Sequence, residues 1–495
     1  MNAVWPHLPA LQVVVPLVGA VLAAFLRRGL SGFLLTCAVV WLLPFIASGL
    51  LWQVLWSGPI SYRLGGWEPP WGIEYRIDLL NAFVLLLVSA VAAVIMPFAR
   101  RSIAREIDDD RQAWFYCMFL LCVTGLLGMA ATGDAFNAFV FLEISSLSTY
   151  VLIALGPDRR ALLAAFQYLV MGTIGATFYV IGVAFLYIVT GSLNLVDIAA
   201  RLPAVAVEQP RAVTAAFAFI TVGISLKIAL FPLHVWLPNA YAFAPSWVTV
   251  FLSATATKVA VYLLIRFVFG VFGVAIDLQE LPVTEMIIAL SLAAMFAASF
   301  VAVFQINLKR MLAYSSVAQI GYITLSIGLA NQAGLTGGIV HLANHALMKA
   351  ALFLALGAVF FRIGSVNLHD LSGIGRRMPL TMGAFVIAGF GLIGTPGTAG
   401  FISKWYLAIG ALEKGSWPLL LAIVVSSLIA VVYVGRVVEV VWFREESPMA
   451  AQASEPPLAM LAPILLLAAA TVYFGIDTRL TAGIAGKAAA MMLGG

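Results

Sequence analysis

The sequence predicts an all-α polytopic membrane protein with about fourteen transmembrane helices in one domain, residues 1–495. Hydrophobic residues make up 63% of the 495 residues and charged residues only 10%. A soluble domain carries about 25% charged residues. Apolar runs long enough to span a bilayer recur along the whole chain. At about 35 residues per span and loop, the length leaves no room for a large soluble domain.

The predicted spans are apolar runs that follow one another without a linker that would divide the chain. In the first half they are Leu8–Leu26, Phe33–Trp56, Leu79–Ala99, Ala113–Thr132, Ala135–Leu155, Ala161–Val189 and Ala212–Phe231. In the second half they are Ser246–Phe269, Met286–Ile306, Met311–Ala330, Leu335–Phe361, Leu380–Ile409, Trp417–Phe443 and Leu458–Phe474. Between the sixth and seventh runs, Asn194–Val205 predicts a short interfacial helix. The first run has no Lys or Arg before it and Arg27-Arg28 after it, which favours a retained helix over a cleaved signal peptide.

Basic residues in the loops predict the orientation. The net charge is +5, and because the basic residues form no tract, nucleic-acid binding is not expected. The loops after odd-numbered spans, which we call the arginine-rich face, hold Arg27, Arg28, Arg100, Arg101, Arg105, Arg111, Arg159, Arg160, Lys309, Arg310, Arg362, Arg376, Arg377 and Arg444, with Arg436 nearby. The other side holds Arg63, Arg76, Arg201, Arg211, Lys414, Arg479 and Lys487. The richer side is predicted to be cytoplasmic, which places both termini outside the cell membrane.

The cysteines exclude several cofactor classes. Cys37, Cys117 and Cys122 all lie in apolar runs and form no C-x-x-C pair, so they provide no zinc or iron–sulfur framework. We find no quinone or flavin motif either. The sequence therefore predicts no metal and no cofactor, and a chain that is not an enzyme on its own.

Five charges inside the apolar runs are not explained by any loop: Glu143, Lys227, Lys258, Lys349 and Lys404. Each such charge costs about 2.5–3.5 kcal/mol at mid-bilayer on insertion scales. Structural ion pairs or snorkelling side chains would be one explanation. Five in one bundle are better explained by a chain of titratable groups that carries protons or cations across the membrane.

The environment of Glu143 indicates a switchable carboxyl group. The hydroxyls of Ser145, Ser146, Ser148 and Thr149 follow within two turns and could bond the carboxylate or hold a water. Apolar surroundings disfavour the ionised carboxylate, and a nearby ammonium favours it. Small movements of such an ammonium would therefore load or release a proton.

Two predicted helix breaks lie next to buried lysines. Lys227 is followed by Pro232, His234 and Pro238, and Pro232 cannot donate to the carbonyl of Ile228. Unwound backbone at membrane depth lines protein or a wet cavity, and such breaks mark ion sites in transporters. A plain proline kink is the alternative. His234 is predicted where the broken helix meets the cytoplasmic side, where it could exchange protons.

The second break comprises Gly394, Pro396 and Gly397, and Lys404 follows within two turns. Interrupted helices in corresponding positions of two halves are typical of an internal repeat.

His341, His345 and Lys349 are spaced i, i+4, i+8 and fall on one helical face. The two histidines do not predict a zinc site, because no third ligand is evident, or a haem site, because no facing helix carries an axial histidine. A core hydrogen-bonding role and a proton relay ending at Lys349 both remain open, and we favour the relay.

These segments resemble the antiporter-like subunits of respiratory complex I and of multisubunit Mrp-type cation/proton antiporters. The resemblance covers nearly the whole chain. The phrases that carry it are the Glu143 segment, Lys227 with FPLHVWLP, Lys258, KRMLAYSSVAQIGY (Lys309 to Tyr322), HLANHALMKAALF (His341 to Phe353) and TPGTAGFISKW (Thr395 to Trp405).

The resemblance implies fourteen helices with two inverted five-helix repeats, approximately 113–270 and 286–443, each with a broken helix. It further implies a Glu143–Lys227 pair, a connecting Lys258, a His341/His345/Lys349 helix and a terminal Lys404. Gly397 departs from the family phrase, which has a second proline there, and this predicts a looser kink.

The Glu143 segment and GFISKW look most like D-type subunits of the Mrp branch. The resemblance then implies H⁺ and Na⁺ transport in a complex with other membrane subunits within the bilayer. A proton-pumping subunit of complex I or of a membrane hydrogenase is the alternative, and a structural scaffold is a third class.

Overall fold

The computed structural model describes residues 4–26, 29–273 and 283–494, and these ranges are almost entirely helical, as predicted. Arg27 and Arg28, the flank of the first predicted helix, lie outside the described residues. The first ten helices are α1 (Leu8–Ala24), α2 (Gly29–Ser57), α3 (Leu79–Glu106), α4 (Asp109–Ala131), α5 (Ala135–Ala154), α6 (Arg160–Thr190), α7 (Leu195–Glu208), α8 (Pro210–Ile228), α9 (Trp236–Phe243) and α10 (Ser246–Ala254). The others are α11 (Ala256–Ile265), α12 (Val283–Val303), α13 (Leu308–Leu329), α14 (Gln332–Ile363), α15 (Pro379–Ile393), α16 (Ala399–Glu413), α17 (Trp417–Val438), α18 (Leu458–Ile476) and α19 (Thr481–Met492).

The membrane-spanning prediction agrees closely with the helices. In the described ranges, thirteen helical segments are long and apolar enough to cross a membrane. One of them, Ser246–Val271, consists of α10, α11 and a π-helical turn. The remaining predicted run, Leu380–Ile409, is divided between α15 and α16. That division is the second predicted helix break.

Two elements were not predicted. A two-stranded antiparallel hairpin joins β1 (Ile60–Arg63) to β2 (Glu74–Ile77) in the loop before α3, with Ile60 opposite Ile77. A last helix, α19, follows the fourteenth span and packs against α14 and α3. The hairpin is too short, and α19 too small and mixed in composition, to stand out among the long apolar runs.

The predicted interfacial segment forms α7. The Asn194 side chain caps its start by accepting hydrogen bonds from the N–H groups of Val196 and Asp197. Asparagine is among the preferred N-cap residues because its side-chain oxygen satisfies helix N–H groups that lack partners.

Helix α14 is the central column of the bundle. Seven helices pack around it: α3, α10, α13, α15, α16, α18 and α19. Its side chains are buried almost without interruption from Gly334 to Val359. Because a helix surrounded on all sides exposes no face to lipid, polar residues on α14 must find partners inside the protein.

The start of α3 is held by a buried ion pair that the sequence did not indicate. Asp78 caps α3, and its Oδ2 lies 2.6 Å from Nη1 of Arg266 in the π-helical turn. Burial favours the protonated carboxyl, but the Arg266 guanidinium and the N–H groups of Asn81 and Leu80 outweigh it and lower the pKa of Asp78. The pair joins the junction of β2 and α3 to the π-helical turn that follows α11.

Candidate functional site

The first broken helix ends at a left-handed residue rather than at its proline. Helix α8 stops at Ile228, and Ala229 takes φ 58°. Leu230 N–H donates to Ser225 O (3.0 Å) and Ala229 N–H to Leu226 O (3.3 Å), the two bonds of a Schellman motif. A left-handed conformation costs an L-residue about 1–2 kcal/mol, so this ending is held by its surroundings.

The prolines have other roles than the predicted one. Pro232 lies in the turn between α8 and α9, beyond the point where α8 has already ended. Pro238 lies in the first turn of α9, where a missing N–H breaks no helical hydrogen bond. The Trp236 indole crosses the break and donates to Leu226 O at 3.0 Å. The interruption therefore spans residues 229–235, and Pro238 does not extend it.

Lys227 and Glu143 meet across α8 and α5. Lys227 Nζ lies 3.6 Å from Glu143 Oε1 and donates to Ser146 Oγ at 2.6 Å. The Lys227 side chain is 5% exposed and that of Glu143 is 23% exposed. The other predicted hydroxyls do not serve the pair, because Ser145, Ser148 and Thr149 donate to backbone carbonyls of α5.

A small cavity leads inward from this pair. It has a volume of about 30 Å³ and is lined by Ser146, Thr149, Lys227, Tyr168 and Thr257, among others. A water molecule needs roughly 10–15 Å³ of such space and two to four polar partners. The cavity therefore has room and polar partners for a water between Lys227 and Thr257, which precedes Lys258 in the chain.

Lys258 lies beside a further interruption, between α10 and α11, which is separate from the two predicted breaks. Its Nζ donates to the backbone carbonyl of Ser253, in the last turn of α10, and lies 3.3 Å from Thr257 Oγ1. The side chain is fully buried. Lys258 is close enough to His341, His345 and Lys349 to interact electrostatically with all three. It therefore connects the first half of the molecule to α14.

On α14 the two histidines differ in their hydrogen bonding. The rings of His341 and His345 lie parallel, with centroids 5.9 Å apart. His341 Nδ1 is 2.7 Å from Ser403 Oγ, and its Nε2 is 2.8 Å from Gln319 Oε1. Both ring nitrogens of His345 are buried without a hydrogen-bond partner among the described residues. Unpartnered polar atoms of this kind are normally paired with water, so His345 marks a place for hydration.

Lys349 completes the face of α14. Its Nζ donates to Leu312 O at 2.8 Å and to Ser315 Oγ, both on α13. These contacts, like those of His341, are with neutral groups. The predicted alignment of His341, His345 and Lys349 on one face therefore places all three in the interior between α13, α10 and α16.

The second broken helix ends in the same motif as the first. Thr395 N–H donates to Phe390 O and Gly394 N–H to Gly391 O, both at 3.1 Å, with Gly394 at φ 89°. Gly397 follows at φ 84° before α16 begins at Ala399. Proline is fixed near φ −65°, so this turn excludes the proline of the family phrase at position 397. The glycine at position 397 therefore suits the left-handed backbone of this turn.

Lys404 binds the carboxyl end of α15 across the break. Its Nζ donates to Leu392 O (3.0 Å), Ile393 O (2.9 Å) and Ser427 Oγ (2.9 Å). It also lies 4.5 Å from the centroid of the Tyr322 ring. Within the described ranges these hydrogen bonds all go to neutral oxygen atoms. The partial negative charge of a helix C-terminus favours a cation here.

The titratable groups lie in three places, with Glu143 and Lys227 at the first break, Lys258 near His341, His345 and Lys349 of α14, and Lys404 at the second break; we call these seven residues the line. The line holds four lysines and one carboxylate. An apolar interior can hold four ammonium groups with a single counter-ion only at a high free-energy cost.

One predicted site residue lies off this line, and several charges inside the protein were not predicted, among them Lys309 and Arg266. The His234 ring packs against Phe231 and Tyr314 beside the first break. Lys309, predicted as a loop charge, is 4% exposed in the first turn of α13. Arg266 pairs with Asp78. Arg266 lies in the predicted run Ser246–Phe269, and a charge at that position could have been recognised as one that needs a partner inside the protein. Nothing in the sequence distinguished Lys309 from its neighbour Arg310.

Comparisons with known proteins show the family and the fold. A family profile described as NADH:quinone oxidoreductase/Mrp antiporter, TM, matches residues 132–430. NADH-quinone oxidoreductase subunit N of Desulforudis audaxviator (strain MP104C) is 43% identical over 494 residues, covering 95% of this chain and 96% of the relative. The D-type Na(+)/H(+) antiporter protein of Alkalihalophilus pseudofirmus is 29% identical over 475 residues, covering 95% and 94%. A chain in the structure of the Mrp complex from Dietzia sp. DQ12-45-1b superposes with a TM-score of 0.90 at 27% identity, covering 99% of this chain and 98% of that one.

Proposed function

Because the chain belongs to the NADH:quinone oxidoreductase/Mrp antiporter transmembrane family, we propose that it is a proton-translocating subunit of a multisubunit membrane complex. The observation that carries the proposal is the buried line of lysines and histidines through the bundle. Lys258 and Lys404 bind carbonyls at the ends of half-helices, and Lys227 lies in the last turn of another. Small shifts of these half-helices change the stabilisation of each ammonium and so move its proton.

The Glu143–Lys227 contact supplies the gate in this proposal. Moving Glu143 closer to Lys227 favours the ammonium, and moving it away favours release of the proton. At an effective dielectric near 20, a contact at about 4 Å corresponds to about 4 kcal/mol. That is enough to change the protonation of a buried lysine at neutral pH, since about 1.36 kcal/mol corresponds to one pKa unit.

A neighbouring membrane subunit covers Glu143 in the assembled complex. On α5, Phe136, Val140, Leu147 and Val151 are 46%, 38%, 53% and 43% exposed, and Glu143 lies in the middle of this stripe. An apolar stripe suits either lipid or protein, but a carboxylate facing lipid is costly. The stripe therefore supports contact with another subunit, which also brings its own charges near Glu143.

Two complexes fit the chain. A D-type member of a cation/proton antiporter, moving H⁺ and Na⁺, fits the Glu143 segment and the phrase GFISKW. The 43% identity to a relative named NADH-quinone oxidoreductase subunit N favours the second candidate, a complex in which electron transfer through other chains drives the protons.

Two inverted repeats, near 113–270 and 286–443, and a cell-membrane location with both termini outside belong to the same proposal. The matching Schellman endings of α8 and α15 support the repeats. The excess of basic residues on the arginine-rich face supports the orientation.

The test is purification of the native complex, identification of its subunits, and measurement of proton movement in inside-out vesicles. We expect Lys258→Met to stop proton movement in an assembled complex, with Lys487→Met, at an exposed position on α19, as the matched control. Proton movement started by Na⁺ would identify the antiporter, and movement started by an electron donor the redox-driven complex. Normal proton movement with Lys258→Met would refute the proposed function.

A further inference from the structure

A fifth buried lysine lies outside the line described above. Lys309 is 4% exposed at the start of α13. Its Nζ donates to Ser246 Oγ at 2.9 Å and lies 5.1 Å from the centroid of the Phe360 ring. Burying an ammonium is costly unless it is paired or used. The other hydrogen-bond partners of Ser246 indicate what role the buried Lys309 ammonium has.

Ser246 connects Lys309 to a carboxylate on a third helix. The N–H and the hydroxyl of Ser246 lie 2.8 Å and 3.0 Å from Glu106 Oε2, and Ser102 Oγ donates to Glu106 Oε1 at 2.8 Å. The Ser246 hydroxyl therefore accepts from Lys309 and donates to Glu106. Helices α3, α10 and α13 each contribute one member of an unbroken carboxylate–hydroxyl–ammonium line.

The outer end of this line is open to solution. Glu106 lines a polar cavity of about 520 Å³ at the arginine-rich face, together with Arg105, Asp108, Asp109 and Arg111. The inner end, Lys309, is buried. Two hydrogen bonds therefore lead from a solvated cavity to an ammonium inside the bundle.

The inner end lies one turn from the residue that holds Lys349. One turn after Lys309 on α13, the carbonyl of Leu312 accepts a hydrogen bond from Lys349 Nζ. On α14, the Phe360 ring lies against Lys309 and the Phe353 ring against Lys349. Both lysines therefore lie where α13 and α14 meet.

We infer that Glu106, Ser246 and Lys309 form a proton entry arm that supplies Lys349 from the arginine-rich face. The inference rests on the proposed function. In one transfer, the protonated Glu106 carboxyl loses its proton to Ser246 Oγ while the Ser246 hydroxyl gives its own proton to neutral Lys309. One O–H bond breaks and one forms at Ser246, an N–H bond forms at Lys309, and no electron is exchanged. The observed donor pattern, with ammonium and carboxylate at the two ends, is the state after transfer.

The test compares variants in the native complex, measured as proton movement in inside-out vesicles. Ser246→Ala removes the relay hydroxyl and Ser246→Thr keeps one, so we expect Ala to slow transport at least about tenfold and Thr to retain it. Lys309→Arg keeps the charge and the hydrogen bond but does not release its proton. If Lys309 has only a structural role, the Lys309→Arg variant should transport protons at the wild-type rate. If Lys309 belongs to the entry arm, the variant should assemble but transport protons slowly.

Lys258→Met separates this inference from the proposed function. If Lys258→Met stops transport while Ser246→Ala and Lys309→Arg both run at the wild-type rate, the entry arm is wrong and the function stands. If Lys258→Met is also normal, the function itself fails. If Ser246→Ala does not assemble, Glu106→Gln decides, because its amide oxygen still accepts from Ser246 but the amide cannot take up and release a proton as a carboxyl group does. Wild-type transport with Glu106→Gln would overturn the arm.

Discussion

Lys227 Nζ lies 3.6 Å from Glu143 Oε1, while Ser146 Oγ accepts its hydrogen bond at 2.6 Å. The lysine is therefore held by a neutral hydroxyl and only loosely by its counter-ion. Glu143 and Ser146 both lie on α5, so a movement of α5 relative to α8 changes both contacts of Lys227 together. This geometry suits a gate better than a permanent structural bridge.

We predict that Glu143 and Lys227 are coupled in stability as well as in transport. Either Glu143→Gln or Lys227→Met should stop proton movement, and breaking a buried pair costs about 3–5 kcal/mol because one charge is left unpaired. The double variant should be no less stable than the worse single one. A double-mutant cycle on thermal unfolding of the complex should give a coupling energy of about 0.5–3 kcal/mol. Strictly additive losses would show that the residues do not meet in the assembled protein.

At Lys404 we predict that titration, not hydrogen bonding, is required. Lys404→Gln keeps a donor for the carbonyls of Leu392 and Ile393 but carries no exchangeable charge, so it should assemble and fail to transport. Lys404→Ala should also fail, and should lose about 1–3 kcal/mol because buried carbonyls are left unpaired. The measurements are vesicle transport and thermal unfolding. Wild-type transport by the Gln variant would reduce Lys404 to a helix-capping residue.

Gly397 is predicted to be required for its backbone angle and not for space. A Cβ at this position would meet nothing within 4 Å, but its φ is 84°. Asparagine tolerates this conformation and proline cannot adopt it. Gly397→Asn should therefore retain most transport, and Gly397→Pro, which restores the family phrase, should displace the turn before α16 and lose it. Equal activity of the two variants would contradict the left-handed turn.

The Asp78–Arg266 pair is predicted to stabilise the fold without taking part in transport. Asp78→Asn should lower the free energy of unfolding by about 3–5 kcal/mol, since it leaves the buried Arg266 unpaired. Because the pKa of Asp78 is lowered in the folded state, its contribution is fully present above the unfolded value of about 3.9 and is lost as pH falls through the folded value. Thermal unfolding at about pH 5 and about pH 8 should therefore show the same loss. A loss confined to one of these pH values would argue against the ion pair.

The sequence by itself determined the membrane fold, the order of the spans, the two broken helices and the positions of five charges inside apolar runs, four of which are buried lysines. These follow from local properties: apolar length, helix-breaking residues and the cost of a charge in an apolar run. The spacing of His341, His345 and Lys349 also fixed their common face before any contact was known, because helical periodicity is local.

Only the tertiary structure decided which of these groups meet. Ser146 serves Lys227 while its neighbours Ser145 and Ser148 bond their own helix, a choice made by how α8 crosses α5. Lys309 is buried and Arg310 beside it is not buried to the same degree, because the Lys309 side chain packs against Ser246 of α10 and Phe360 of α14. Hydrogen bonds and burial between residues far apart in the chain depend on helix packing, which hydropathy and spacing along a single helix do not specify.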